Sequence, residues 1–151
     1  MKNTPYAGIV IRLAAFYFIA AGICQSIQAQ TELRFRLVRD TMIVVSLMAN
    51  NEGPFDFVLD TGADTTVVDA CLASKLSLAS LSRIQQATLA GSQTLTVSRL
   101  ANLGTGSAQI ENLPVLVQDL AELRKMDSQI EGIAGQDFLS HFNYLIDYRK
   151  H

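Results

Sequence analysis

The chain has 151 residues, 49% of them apolar, with 12 Lys and Arg against 14 Asp and Glu, a net charge of −2. That is the length of one domain, with enough apolar side chains for a compact core, and it excludes a disordered chain. The slightly acidic balance argues against nucleic acid as a partner and favours neither an acidic nor a basic substrate.

The first thirty residues read apart from the rest. Lys2 and Arg12 precede an unbroken apolar run from Leu13 to Cys24. About 12 apolar residues is the core length of a signal peptide and falls short of the ~20 of a membrane span. Ala29 is a small residue at which cleavage fits, although Ile27, two positions earlier, departs from the small-x-small pattern. Ile23 stands where a lipoprotein signal at Cys24 needs a small residue. Residues 1–29 are therefore expected to be a signal peptide or an N-terminal membrane anchor, with Arg12 at the headgroups in the second case. Residues 31–151 are then the folded domain, exported to the periplasm or beyond. With the leader removed, ten cationic side chains face 14 acidic ones, a net charge of −4. Cys71 then has no partner for an internal disulfide and reads as a small buried residue in a helix. His141 and His151 are too few for a metal cluster.

Past residue 30, short runs of β-branched and aromatic residues alternate with turn residues. Leu33 to Val38 predicts a strand, Arg39–Asp40 a turn, and Met42 to Met48 a second strand. Asn50 to Pro54 is a turn cluster, in which Pro54 has no N–H for a ladder. Phe55 to Leu59 predicts a third strand that runs straight into Asp60. Thr65 to Val68 is a short strand, and Asp69 the cap of a helix from about Ala70 to Leu76. Residues 84–90 and 93–99 predict a hairpin with its tip at Ala90-Gly91-Ser92. Leu100 to Leu103 and Ala108 to Ile110 are shorter strand pieces around Gly104-Thr105-Gly106, which lacks the lysine and the helix of a phosphate loop. Pro114 to Gln118 is another strand, and Asp119 opens a helix to about Met126. Gly132 to Gly135 reads as a tight apolar turn, Asp137 as the cap of a helix ending near Phe142, and Tyr144 to Tyr148 as a closing strand. The sum is mostly β with two or three short helices, for which a small closed or folded-over barrel is the natural architecture.

Chemistry concentrates in Phe57-Val58-Leu59-Asp60-Thr61-Gly62-Ala63-Asp64. An apolar strand ends in a carboxylate, Thr61 adds a hydroxyl, Gly62 permits a turn barred to other residues, and Ala63 is small enough for close approach. Asp60-Thr61-Gly62-Ala63-Asp64-Thr65-Thr66 resembles the active-site loop of the retropepsin-like aspartic proteases, in their exported bacterial type. Ile133-Ala134-Gly135, followed by a short helix and a closing strand, is similar to that family's second element, the turn that supports the loop. The hairpin lies between the two, where the family has its flap. The resemblance covers about residues 33–148.

The resemblance implies a small acid-protease barrel with one lobe per chain. No second Asp-Thr-Gly or Asp-Ser-Gly occurs in the sequence, so it also implies a homodimer with one loop from each subunit. Asp60 would be the catalytic residue, paired with its copy. Thr61 would bond across the axis, Gly62 would offer its backbone to substrate, and Asp64 would bond the peptide main chain or brace the dimer. Ala90, Gly91 and Ser92 would close over the substrate. The chemistry needs no metal or organic cofactor. Retroviral members commonly carry Arg after the turn glycine, paired with the acid corresponding to Asp64; Gln136 stands there instead and replaces an ion pair by a neutral–charged hydrogen bond. Many bacterial relatives continue past residue 148 with a turn and a strand, whereas this sequence stops at His151. That leaves it either like the shorter viral subunits or without an edge strand. The function implied is an aspartic endopeptidase acting on peptides or proteins, with apolar side chains favoured around the cut. The alternative is a peptide-binding module of the same fold that cleaves weakly or not at all.

Overall fold

The computed structural model describes residues 31–88 and 91–149; the expected leader, residues 1–29, lies outside them. Chain order is β1 (Phe35–Val38), β2 (Met42–Ala49), β3 (Glu52–Leu59), β4 (Val67–Asp69), α1 (Ala70–Lys75), β5 (Ser82–Thr88), β6 (Gly91–Thr105), β7 (Ala108–Gln118), α2 (Ala121–Met126), β8 (Ile130–Ala134) and α3 (Gln136–Leu139). The strands form one sheet in the order β1-β2-β3-β8-β4-β7-β6-β5, which folds over until β2 meets β6 at Met48↔Gly104 and Ala49↔Leu103. It is the mostly β, folded-over lobe expected from the sequence.

Two tight turns set up the fold. Arg39, Asp40, Asn50 and Asn51 all have positive φ, the backbone that two-residue hairpin turns need to match strand twist. The second turn also fastens the sheet to itself. Asn50 Oδ1 accepts the Ala101 N–H at 2.7 Å, and the Asn51 N–H donates to Asn102 Oδ1 at 3.0 Å. Inside, Leu47, Phe57, Leu72, Leu100 and Leu103 are among the fully buried side chains of the main core. Each contributes about 1.5–3 kcal/mol through burial.

Several expected boundaries differ. The pieces around 93–103 and 108–118 are two long strands, paired from Thr96↔Val117 to Thr105↔Ala108. β3 begins at Glu52 and contains Pro54. The β2–β3 register shifts between Leu47 and Ala49, so the residue without an N–H sits where the ladder is already irregular. Gly132 to Ala134 is not a turn but the last three of the five residues of β8. A Cβ on Gly132 would lie 2.2 Å from the Phe57 ring, so the strand is small there because its neighbour fills the space. Cys71 is exposed at the start of α1 rather than buried. Tyr144 to Tyr148 forms no strand; Leu145 is 91% exposed, and the Tyr148 ring meets Phe35 edge-on at 5.8 Å.

Carboxylates fasten the connections. Asp69, 2% exposed, accepts the Cys71 N–H at 2.8 Å and the Leu120 N–H at 2.9 Å, and pairs with Arg124. It caps α1 as expected and also holds the start of α2. Beyond α2, the Gln129 N–H and Arg36 both bond Asp127, and Arg36 also pairs with Asp56 at 2.7 Å. Those bonds, the Gln129 N–H first, hold the Asp127 carboxyl below its ordinary value of 3.8. A depressed carboxyl adds stability that is present above its unfolded value and is lost as pH falls through the folded one. Unfolding titrations below about pH 4 should therefore show a shallower acid loss in Asp127→Asn than in the unsubstituted chain.

Candidate active site

The site follows from how β8 is flanked. β3 runs parallel to it, with Val58↔Ile133 and Leu59↔Ala134 in register. β4 runs antiparallel along its other side, with Val67↔Ile133 and Val68↔Gly132. The chain must therefore leave β3, cross the end of β8 and return as β4. Residues 60–66 are that crossing, and Gly135 lies directly at the end of β8 that they cross.

Hydrogen bonds hold the crossing at close intervals. The Asp60 N–H donates to Ala134 O at 3.1 Å, the Gln136 N–H to Ala63 O at 2.7 Å, and the Asp137 N–H to Asp64 O at 3.2 Å. The Gln136 side chain donates to Thr61 O at 3.1 Å. Thr66 is fully buried; its hydroxyl donates to Asp137 Oδ1 at 2.6 Å and accepts the Gly135 N–H at 3.2 Å. The Thr66 N–H also lies on the Asp137 carboxylate, at 2.9 and 3.0 Å from its two oxygens. A Cβ on Gly135 would lie 2.7 Å from the Thr65 carbonyl carbon and 2.8 Å from Ala63 O, so the approach requires glycine.

Asp60 itself is exposed, and its Oδ1 accepts the Gly62 N–H at 2.9 Å. Beside it is an open groove of about 320 Å³. Its apolar lining comes from Met42 and Ile43 of β2, Val58 and Leu59 of β3, Ile133 of β8 and Leu123 of α2. The arrangement presents the Asp60 carboxylate, at the β3 end of the braced loop, beside an apolar surface. A larger depression, about 430 Å³, shares no residue with the loop and has Asp56 and Glu131 in its walls.

A family model described as aspartyl protease matches residues 45–138, more than half of the chain. The chain belongs to that aspartyl protease family. Its fold is similar to that in the crystal structure of a retropepsin-like aspartic protease from Rickettsia conorii, with TM-score 0.53 and 21% identity over 80% of this chain and 90% of that one. It is also similar to EIAV protease complexed with the inhibitor HBY-793, with TM-score 0.50 and 18% identity over 74% of this chain and 99% of that one. No curated protein sequence matches the chain.

In this aspartyl protease chain the structure brings the loop residues and the second element named from the sequence side by side. Asp60, Thr61, Gly62, Ala63 and Asp64 lie together, against Ile133, Ala134 and Gly135. Three details differ from expectation. Gly62 does not have positive φ; its Cβ position is 3.3 Å from Asp60 Oδ1, so its smallness leaves room for the carboxylate. Gln136 reaches the Thr61 carbonyl rather than the Asp64 carboxylate. Asp137 caps no helix, and Gly135 precedes α3 without a side-chain cap. Gly91 and Ser92 belong to β6, paired with Thr88 and Ala87, and Ala90 lies outside the described residues. Thr66 and Asp137, which carry the brace, have no local signal that marks them as partners.

Two substitutions test the brace. Gly135→Ala should cost about 1–3 kcal/mol through overpacking. Thr66→Val keeps the shape and the Thr66 N–H on the Asp137 carboxylate, but it removes the hydroxyl bond to Asp137 and leaves the Gly135 N–H without its partner, also at about 1–3 kcal/mol. Chemical denaturation measures both.

Proposed function

We propose that the chain is an aspartic endopeptidase that works as a homodimer, with one Asp60 from each subunit at the twofold axis. The observation that carries this is the exposed Asp60 carboxylate, held at the end of β3 by a braced loop that each chain supplies once. One carboxylate cannot both activate a water and donate a proton to the scissile carbonyl. Two in contact cannot both ionise cheaply, so the pair holds one proton and divides the roles. One Asp60 takes a proton from the bridging water as it attacks, and the protonated copy polarises the carbonyl oxygen. The pair titrates as a unit.

The surrounding residues take supporting roles. Thr61 bonds across the axis while Gln136 holds its carbonyl from within the same chain. Gly62 and Asp64 bond the substrate main chain, and the β5–β6 hairpin with Ala90, Gly91 and Ser92 covers it. The exposed Tyr144, Leu145 and Tyr148 supply the closing strand, which pairs only when a second subunit brings its edge. The domain acts outside the cytoplasm, with residues 1–29 as signal peptide or anchor. A secreted chain beginning near Gln30 supports that export, and a full-length cytoplasmic chain contradicts it.

Casein cleavage tests the activity. Asp60→Asn should lower pepstatin-sensitive cleavage by about 10²–10⁴-fold, with folding stability unchanged to within about 0.5 kcal/mol because the residue is exposed. An active, well-folded Asp60→Asn chain overturns the assignment. A chain that binds peptides without cutting them is instead the binding module. Specific activity should also rise with chain concentration and level off as sedimentation shows dimer. Constant activity from a monomer contradicts the shared pair.

A further inference from the structure

The groove beside Asp60 draws most of its apolar lining from β2, β3 and β8, the strands that build the fold. Val58 is buried in a small cluster with Val38, Val44 and Ile130. It is in register with Ile133, two residues before the Asp60 loop begins. Val58 and Ile133 are thereby tied to the strands that carry the loop. Leu123 differs in coming from α2, a surface helix in the connection between β7 and β8, rather than from the sheet. Like Met42 of β2 it is half-buried: it packs on the Val58 cluster yet keeps part of its side chain on the groove.

A groove lining has to be held still to select by size, and α2 is fastened at both ends. Before it, the Leu120 N–H donates to the buried Asp69 at 2.9 Å, and Arg124 pairs with Asp69 and, at 2.7 Å, with Asp119. After it, Asp127 is bonded by Arg36 and by the Gln129 N–H at 2.9 Å. Leu120 is itself buried, so the helix cannot roll Leu123 away without exposing it.

We propose that Leu123 is a specificity-determining residue, setting the size of the apolar substrate side chain accepted beside the scissile bond. The proposal rests on the endopeptidase reading above. A chain of this kind meets an extended peptide whose backbone the Asp60 loop positions, and the side chain next to the cut enters the groove. Leu123 fills part of that volume. One methylene more or less in such a pocket changes selectivity by roughly 10–200-fold.

The test is a series of peptides identical except for one apolar side chain beside the cut, Ala, Leu or Phe, with kcat/KM measured for each. In Leu123→Ala the preference for Phe over Ala should rise by about tenfold or more, and in Leu123→Phe it should move the other way. Leu123→Met conserves volume and should leave the order unchanged, which separates size selection from damage to α2. Equal loss of rate on every peptide, or an unchanged ratio in both size variants, overturns the role of Leu123 while leaving the protease intact. An unsubstituted chain that cuts no peptide of the series sinks the endopeptidase reading, and this role with it.

Discussion

The site depends on one constraint: β8 is held between a parallel β3 and an antiparallel β4. A chain that leaves β3 and returns as β4 has to pass over the end of β8, and the seven residues that do so include Asp60. Their path is tight enough that Gly135 has no room for a Cβ. The backbone groups freed by the crossing are taken up by the start of α3 and by Asp137. A buried polar group without a partner is costly, so the crossing has little freedom to move. The carboxylate that stands on it is thereby positioned before any substrate arrives.

Much of this was legible in the sequence because the Asp60 loop is a local feature: a strand, an acid, and a small-residue turn within a few positions. The brace was not. Thr66 and Asp137 are 71 positions apart, and Asp137 stands at the start of a helix, where a capping role is the natural local reading. Gly132 reads as a turn residue, and only the Phe57 ring packed against it explains why a strand contains glycine there. The Tyr144–Tyr148 segment shows the opposite failure. Its composition suits a strand, but among the described residues it pairs with none, although β1 and β5 each have only one neighbour.

That unpaired segment and the single loop bear on the same question. Under the proposed function, the single Asp60 loop and the exposed Tyr144, Leu145 and Tyr148 are two features that a twofold partner would complete together. Gln136 gives its amide to Thr61 of the same chain, so the loop is stiffened from within and needs no ion pair with Asp64. Leu123 occupies a different position in this logic. Under the proposed function, the strands carry the Asp60 loop that would position a peptide backbone, while a helix outside the loop would set what fits beside it.

The central claim is that each working site needs two Asp60 carboxylates. Co-refolding unsubstituted and Asp60→Asn chains in varying ratio, at constant total concentration where dimer dominates, measures it directly. If both copies are required, activity follows the square of the unsubstituted fraction and falls to about a quarter at equal mixing. Activity that falls in simple proportion, to about a half, would mean that each chain carries a complete site and would contradict the shared pair.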